Sequence, residues 1–378
     1  MKKINMGTVM KEKLKILYTI PNFDTAGSGK VLYDLARGLN KEYFEVHIAC
    51  SHSRGSFFQE VEKLGLPMHL LETTVPYRPY WSLLVRTRPY KNFIKQHQFD
   101  IVHSWHWSSD WTEAWAAKQG GALFVFTKKA MTWGNRHWKI RSRMADFIIT
   151  INEEMNAFFP KKKNQQLIPL GLDTAYYSRK HFPEREKNNI FRVITVANLV
   201  PVKGIEVLIE AVLSLNNPQI QLDILGDDRS DYATTLKRKV ESAEATQQIR
   251  FLGKHKDVRP FLAAADLYVI PSFKEGMPMA LVEAMSMEVP VLGSDISGIN
   301  FVLKDFKELL FTPQNSPELA AKIHEMYQKP ETERNEIGQR LRGYVLGKFS
   351  LEKFIEAHEN LYRSLVAKKK GEERGSKT

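Results

Sequence analysis

The chain has 378 residues, of which 43% are hydrophobic and 26% charged, a composition that is typical of globular proteins and excludes a disordered or fibrous one. Its single cysteine, Cys50, excludes an intramolecular disulfide framework and favours a reducing compartment. At roughly 150 residues per domain, we expect two or three domains.

The positive charge is concentrated in the first half of the chain. The formal net charge is +12. Residues 1–190 contain 29 Lys and Arg against 17 Asp and Glu, whereas residues 191–378 contain 26 of each. All seven tryptophans also precede residue 140. Two halves with different surface chemistry indicate two domains with different ligands.

No segment has the pattern of a membrane anchor or an export signal. A run of 18 apolar residues is absent, so we expect no transmembrane helix. The basic N-terminus is not followed by the apolar core of a secretory signal. We therefore expect a cytoplasmic protein.

Short apolar runs rich in Val and Ile recur along the chain and are separated by segments with helical spacing. Such runs are typical of strands that are buried on both faces. In the first half, the predicted strands are Leu14–Ile20, Phe44–Cys50, Pro67–Leu71, Phe99–His103, Ala122–Thr127, Ala145–Ile151 and Gln166–Leu170. In the second half, they are Phe191–Ala197, Ile220–Leu225, Ile249–Leu252, Leu267–Pro271 and Val289–Gly293. This alternation predicts an α/β fold with a doubly wound parallel sheet in each half.

The domain boundary is predicted within the polar segment Ser178–Asn189. It divides an N-terminal domain, residues 1–185, from a C-terminal domain, residues 186–350. Residues 351–367 are amphipathic and predict a helix that docks on a core. Residues 368–378 lack apolar side chains and predict a flexible tail.

The loops after the strands are the expected ligand sites in such sheets. The first loop, Asp24–Lys30, resembles a phosphate-binding P-loop but lacks its first glycine and the Ser or Thr after the lysine, which excludes an NTPase. A glycine-rich turn at Gly27 still allows backbone N–H groups to approach an anion, although a turn without a ligand has the same sequence.

In the second half, Lys203 stands at a predicted helix start, where it can neutralise a phosphate. Glu275 lies in the loop after a strand, and Glu283 follows about a turn inside the next helix. Two carboxylates at this spacing can bind two parts of one polyhydroxylated ligand. Taken alone, a solvated lysine, a capping carboxylate and a surface glutamate explain the same residues.

The order and spacing of these segments resemble the retaining glycosyltransferases of family 4, which have the GT-B fold of two Rossmann-like domains facing across a cleft. The Glu-x7-Glu pair of Glu275 and Glu283 is the most diagnostic element. The other similar segments are the first glycine-rich loop, 100–103, 145–150, 168–173, 202–205, 224–227, 265–272 and the terminal helix, which in the family crosses back to the N-terminal domain.

The resemblance implies a nucleoside-diphosphate sugar held by the C-terminal domain and an acceptor held by the N-terminal domain. It implies that Glu283 binds the donor ribose, Lys203 faces the pyrophosphate, and Glu275 binds sugar hydroxyls. The remaining predicted donor-binding residues are Gly27, Asn198, Gly226, Gly276 and Met277. No cofactor, metal ion or nucleic acid is expected.

The chain departs from the family pattern at three places. The first loop has Ala26-Gly27 where Gly-Gly is frequent. Ala197 and Asn198 stand where the family commonly has Gly-Arg, so one pyrophosphate cation is missing. Lys128 and Lys129 stand where many relatives place a histidine that contacts the donor sugar. We hypothesise that Lys128 makes this contact and, with Glu275 and Lys203, forms the catalytic set; a lysine that faces a phosphate or lies on the surface is the alternative.

The basic, tryptophan-rich half predicts the acceptor site. Trp107, Trp111 and Trp115 are spaced as one helical stripe, which either packs in a core or stacks on acceptor sugars. We predict that His103, Trp107 and Arg136 contact the acceptor. Basic segments with aromatic residues also suit an anionic membrane surface or a lipid-linked acceptor.

These features predict a retaining glycosyltransferase that uses a UDP-sugar in preference to a GDP-sugar. The expected acceptor is a glycan or a lipid-linked molecule in bacterial surface polysaccharide or lipopolysaccharide synthesis, at the cytoplasmic face of the inner membrane. A GT-B nucleotide-sugar epimerase and a basic RNA-binding protein are the alternatives. The absence of RRM, KH and zinc-knuckle motifs weighs against RNA binding.

Overall fold

Two parallel β-sheets, one in each half of the chain, form the framework of the protein. The computed structural model describes residues 13–24, 26–55, 57–132, 135–183 and 189–375. The strand pairings within both sheets are parallel. The predicted doubly wound α/β architecture is confirmed.

The first sheet has seven strands in the order β3-β2-β1-β4-β5-β6-β7. They are β1 (Leu14–Thr19), β2 (Phe44–Cys50), β3 (Met68–Leu70), β4 (Ile101–Ser104), β5 (Leu123–Lys128), β6 (Phe147–Thr150) and β7 (Gln165–Leu167). The second sheet has six strands in the order β10-β9-β8-β11-β12-β13. They are β8 (Phe191–Val196), β9 (Ile220–Leu225), β10 (Ile249–Gly253), β11 (Leu267–Ile270), β12 (Val291–Ser294) and β13 (Leu310–Phe311).

Helices cover both faces of each sheet, which explains why strand residues such as Ile16 and Val193 are fully buried. In the N-terminal half, the helices are α1 (Ala26–Gly38), α2 (Phe58–Glu62), α3 (Leu83–His97), α4 (Thr112–Gln119) and α5 (His137–Met144). In the C-terminal half, they are α6 (Ile205–Ser214), α7 (Asp231–Ser242), α8 (Arg259–Ala264), α9 (Met279–Ser286), α10 (Ser297–Val302), α11 (Ser316–Gln328), α12 (Glu331–Lys348) and α13 (Leu351–Gly375).

Each sheet has a point where the strand order reverses, between β1 and β4 in the first and between β8 and β11 in the second. Ligands of doubly wound sheets bind at such points, beyond the carboxyl ends of the strands. The twelve predicted strands are present within a few residues of their predicted bounds. The thirteenth, β13, is two residues long and has too little sequence to form a pattern.

Helix α13 returns to the N-terminal sheet, as the resemblance implies. Its Tyr362 hydroxyl lies 2.7 Å from Nδ1 of His103 and 3.1 Å from the hydroxyl of Tyr18. Ile355 packs where a Cβ at Gly38 of α1 would lie. The predicted flexible tail from residue 368 needs correction, because the helix continues to Gly375.

The predicted boundary near residue 185 falls at residues 184–188, which lie outside the described ranges, so its position stays a prediction. The strands of the first sheet lie between residues 14 and 167 and those of the second between residues 191 and 311. In the described part of the chain, we find no helix with the length and apolar character that a bilayer crossing requires.

Candidate active site

A cleft of about 510 Å³ lies at the carboxyl ends of both sheets. Its walls include Trp105, Lys129 and Ile151, which follow β4, β5 and β6, and residues of the loops after β8, β9, β10 and β11. The eight residues predicted for the donor site all line it. They are Gly27, Asn198, Lys203, Gly226, Glu275, Gly276, Met277 and Glu283. The cleft thereby brings Gly27 together with residues 198–283, which lie more than 150 positions further along the chain.

Lys203 and Glu275 form an ion pair in this cleft. The Nζ of Lys203 lies 2.6 Å from Oε1 of Glu275, and Ser272 donates a hydrogen bond of 2.8 Å to the same oxygen. Lys203 ends a 3-10 turn, and Gly204, with φ of 62°, connects it to α6. A Cβ at Gly204 would collide with the carbonyl of Pro271, so only glycine fits. A phosphate in the cleft would compete with Glu275 for the lysine.

The loop that carries Glu275 touches the N-terminal domain at Gly276. Asn152 donates a hydrogen bond of 2.6 Å to the carbonyl of Gly276. A Cβ at Gly276 would collide with the carbonyl of Lys129. Glycine at this position therefore permits the close approach of the two domains.

Helix α9 begins directly after this loop, at Met279, and its first residues line the cleft. The N–H groups in the first turn of an α-helix have no acceptor within the helix, and the helix dipole is positive there. The residues that carry these N–H groups and Lys203 line the same cleft. This arrangement suits a phosphate or pyrophosphate group.

Glu283 lines the cleft from the second turn of α9. Burial raises the pKa of its carboxyl to about 7, against the opposing effects of a hydrogen bond from Tyr177 and the charge of Lys30. A half-buried carboxylate that faces a cavity is an acceptor for paired hydroxyl groups. Ribose presents such a pair.

Paired acidic residues at the cleft edge are already neutralised by protein cations. Arg229 lies 2.5 Å from Asp227, and Lys237 lies 2.6 Å from Asp228. The hydrogen bond from Arg229 lowers the pKa of Asp227 to about 2. Within the described ranges, no three His, Cys, Asp or Glu side chains are grouped as a metal site would require.

The sequence matches two family profiles that together cover most of the chain. Residues 25–176 match Glycosyltransferase Family 4, and residues 178–342 match Glycosyl transferases group 1. The chain is a family 4 glycosyltransferase.

The capsular polysaccharide biosynthesis glycosyltransferase CapH of Staphylococcus aureus is 23% identical over 319 residues, which are 79% of this chain and 86% of CapH. The lipopolysaccharide core biosynthesis glycosyltransferase LpsE of Rhizobium meliloti is 28% identical over 172 residues, 46% of this chain and 49% of LpsE.

Solved structures confirm the GT-B fold. A glycosyltransferase from Rickettsia africae superposes with a TM-score of 0.84 at 18% identity, covering 94% of this chain and 99% of the other. HepE of Anabaena, whose structure was determined in complex with UDP and glucose, superposes with a TM-score of 0.78 at 19% identity. The superposition covers 93% of this chain and 100% of the HepE chain.

The two adjacent lysines of the glycosyltransferase, Lys128 at the end of β5 and Lys129 in the loop after it, have different hydrogen-bond partners. Lys128 donates hydrogen bonds to the carbonyls of Ala130 and Thr132, the latter at 2.6 Å, and it does not line the cleft. Lys129 does line the cleft and donates to the carbonyl of Trp105. This corrects the hypothesis that Lys128 faces the donor sugar.

The three predicted acceptor residues lie in three different environments. His103 is fully buried, with Nδ1 against Tyr362 and Nε2 against Thr127 at 2.8 Å, and burial lowers its pKa well below the usual value. This position in the core removes it from acceptor contact. Trp107 is 57% exposed and borders a smaller cavity, whereas Arg136 is exposed and lines neither cavity.

The predicted stripe of three tryptophans is wrong, because α4 begins only at Thr112. Asp110 accepts a hydrogen bond of 2.7 Å from the N–H of Thr112 and ends the preceding loop, which holds Trp107. The pattern Asp110-x-x-Glu113 resembles a capping signal and could have located this helix start. Lys129, Asn152 and Tyr177 are site residues that the sequence analysis did not select, since their partners are distant in the chain.

Proposed function

We propose that this glycosyltransferase transfers a sugar from a UDP-sugar to a glycan or lipid-linked acceptor, with retention of the anomeric configuration. The observation that carries the proposal is the convergence of Lys203, the first turn of α9 and Glu283 on one cleft between the domains. The structure of HepE in complex with UDP supports the choice of base. The names of CapH and LpsE support a role in bacterial surface polysaccharide or lipopolysaccharide synthesis.

In this proposal, the pyrophosphate lies against Lys203 and the N-terminus of α9, and the ribose hydroxyls bind Glu283. Glu275, released from Lys203, binds hydroxyls of the transferred sugar. The bond between the anomeric carbon and the β-phosphate oxygen breaks, and negative charge develops on that oxygen. The acceptor hydroxyl bonds to the anomeric carbon on the same face, and its proton passes to the departing phosphate. A lysine and helix N–H groups that are already in place stabilise this charge. We therefore propose that neither a metal ion nor another cofactor is required.

The test is a thermal-shift measurement with UDP, GDP and a panel of nucleotide sugars, in a buffer that contains EDTA. We expect UDP and at least one UDP-sugar to raise the melting temperature of the wild type. Glu283→Gln should lose most of this shift, because an amide is a weaker acceptor for the ribose hydroxyls than a carboxylate. Glu241→Gln, an exposed control on α7, should keep it. If no nucleoside diphosphate or nucleotide sugar stabilises the wild type, the proposal fails.

We further propose that the protein associates with the cytoplasmic face of the inner membrane through the start of α3. Tyr80, Trp81, Leu84 and Val85 are exposed apolar side chains on this surface, and Trp81 is 86% exposed. Residues 73–99 contain no acidic side chain. They contain five cations, Arg78, Arg86, Arg88, Lys91 and Lys95. Apolar side chains among cations are suited to a bilayer with anionic lipids. A lipid-linked acceptor would be presented there.

A further inference from the structure

A second cavity of about 120 Å³ adjoins the cleft on the N-terminal side. Lys129 lines both cavities and separates them. A water molecule needs roughly 10–15 Å³ on this measure, so the cavity has room for a carboxylate or phosphate and the atoms that carry it. Its main walls are His106, Trp107, Lys128, Lys129, Trp138 and Arg141.

The cavity is positively charged. None of the described residues that line it is acidic, while three are basic. The Lys129 ammonium lies 5.5 Å from the ring of Trp105 and 5.4 Å from that of Trp107. Among the described residues, the charge that acts on it is a second cation, Arg141, and no carboxylate pairs with it. A buried cation without a counter-ion is costly to the folded state.

Arg141 supplies the second observation. Only 1% of this residue is exposed, and its side chain donates to Ser104, Ser108, Asp110 and Glu113 through both terminal nitrogens. Its Nε, however, is buried and has no hydrogen-bond partner among the described residues. Glu113 neutralises Arg141 at 3.0 Å but does not line the cavity. The charge of Arg141 is therefore compensated within the described part of the protein, whereas that of Lys129 is not.

We propose that this second cavity binds an anionic group of the acceptor, a carboxylate or a phosphate, with Lys129 as its principal ligand. The proposal rests on the proposed function, because it assigns this cavity to the acceptor of the same reaction. An anion held there lies beside the donor cleft, since one lysine borders both spaces. Trp107, at the rim, offers an aromatic face to the sugar that carries the anion. The donor phosphates have their own cation, Lys203, on the other domain.

Burial lowers the pKa of Lys129 to about 7, with a smaller effect of Arg141 in the same direction. An anion in contact with the ammonium would raise this pKa and keep the lysine charged. A neutral acceptor would leave the cation uncompensated. The cavity should therefore discriminate against neutral sugars.

The experiment measures the binding of D-glucuronate, glucose 6-phosphate and D-glucose by ligand-observed NMR, with UDP present at saturation to occupy the donor phosphate site. We expect the wild type to bind at least one of the two anions about tenfold more tightly than glucose, as one charge-assisted hydrogen bond allows. Comparison of the two anions shows whether the group is a carboxylate or a phosphate. Equal binding of glucose and both anions would overturn the proposal.

The decisive variant is Lys129→Met, which keeps the length of the side chain and removes its charge. It should lose the preference for the anion. Lys129→Arg should retain the preference, and Lys139→Met, an exposed change on α5, should match the wild type. An unchanged preference in Lys129→Met would overturn the proposal. If UDP does not stabilise the wild type, the proposed function fails, whereas a loss of the anion preference in Lys129→Met would still show that the anion binds at this lysine.

Discussion

The two sides of the cleft present positive charge by different means. On the C-terminal side, the groups belong to contiguous segments: Lys203 at the end of one loop, and Glu275 with the start of α9 in another. On the N-terminal side, cations from different elements line a small cavity: Lys129 in the loop after β5 and Arg141 in α5. The first site depends largely on the backbone. The second depends on which side chains the fold turns inward.

This difference also explains the distribution of charge. The C-terminal half is neutral, with 26 basic and 26 acidic residues after residue 190, although it contains the groups proposed to bind phosphate. Helix N–H groups and one lysine suffice for a bound pyrophosphate, so the site needs no excess of cations. The surplus of 12 positive charges lies in the half that contains the second cavity and the exposed start of α3. We attribute it to an anionic acceptor and to the membrane.

Lys203→Ala tests the donor side and should have the largest effect. It removes the cation nearest the proposed leaving group, so we expect kcat/KM for the UDP-sugar to fall by about 10²–10³-fold, as for loss of one preorganised donor. Steady-state kinetics measures the change, and circular dichroism confirms the fold. Lys307→Ala, an exposed change in the same domain, is the control. A decrease of less than threefold in Lys203→Ala would contradict the assigned role.

Trp81→Ser tests the acceptor side at the membrane. Because insertion of a large apolar side chain contributes about 1.5–3 kcal/mol, its loss should weaken binding to vesicles of phosphatidylethanolamine and phosphatidylglycerol about tenfold or more. Co-sedimentation measures this affinity. Leu346→Ser removes an apolar residue that is 44% exposed from α12, far along the chain, and should have no effect. Equal affinities of the two variants would exclude α3 as the contact surface.

Gly276→Ala tests the contact between the two sides. The new methyl group would collide with the carbonyl of Lys129, so either the loop or the domain has to move. Overpacking of this kind costs about 1–3 kcal/mol, and we expect roughly tenfold lower activity. Gly343→Ala is the matched control, because a Cβ at this helical position meets no atom within 4 Å. That control should be neutral or slightly stabilising. Unchanged activity in Gly276→Ala would mean that this contact is dispensable.

The contrast between sites built from contiguous segments and sites built from distant residues also limits what can be predicted from the sequence. The strands follow from local apolar runs, and the donor residues follow from loops that continue those strands. His103 has no comparable local signal, because the residue that covers it, Tyr362, is 259 positions away in the chain. Helix α13 extends past the last apolar side chains because Lys and Glu are themselves good helix formers.

Lys128 and Lys129 show this limit of sequence-based prediction most directly. A loop of uncertain length after β5 leaves open which of two neighbouring residues faces the cleft, and a shift of one residue exchanges them. The choice of Lys128 was wrong for this reason. Because the two side chains are identical, their chemistry cannot show which lysine faces the cleft. The hydrogen bond from Lys129 to the carbonyl of Trp105 distinguishes them.

Lys128→Met is accordingly the change with the smallest expected effect on the reaction. Lys128 donates to the carbonyls of Ala130 and Thr132, so its loss should lower stability by about 1 kcal/mol through those hydrogen bonds. The KM for the UDP-sugar should stay within about twofold of the wild type, measured beside Lys139→Met as the control. A tenfold increase in that KM, in a variant that remains folded, would show that Lys128 does contact the donor. It would also mean that the loop after β5 rearranges when the donor binds, because the lysine cannot reach the cleft from its present position without releasing both carbonyls.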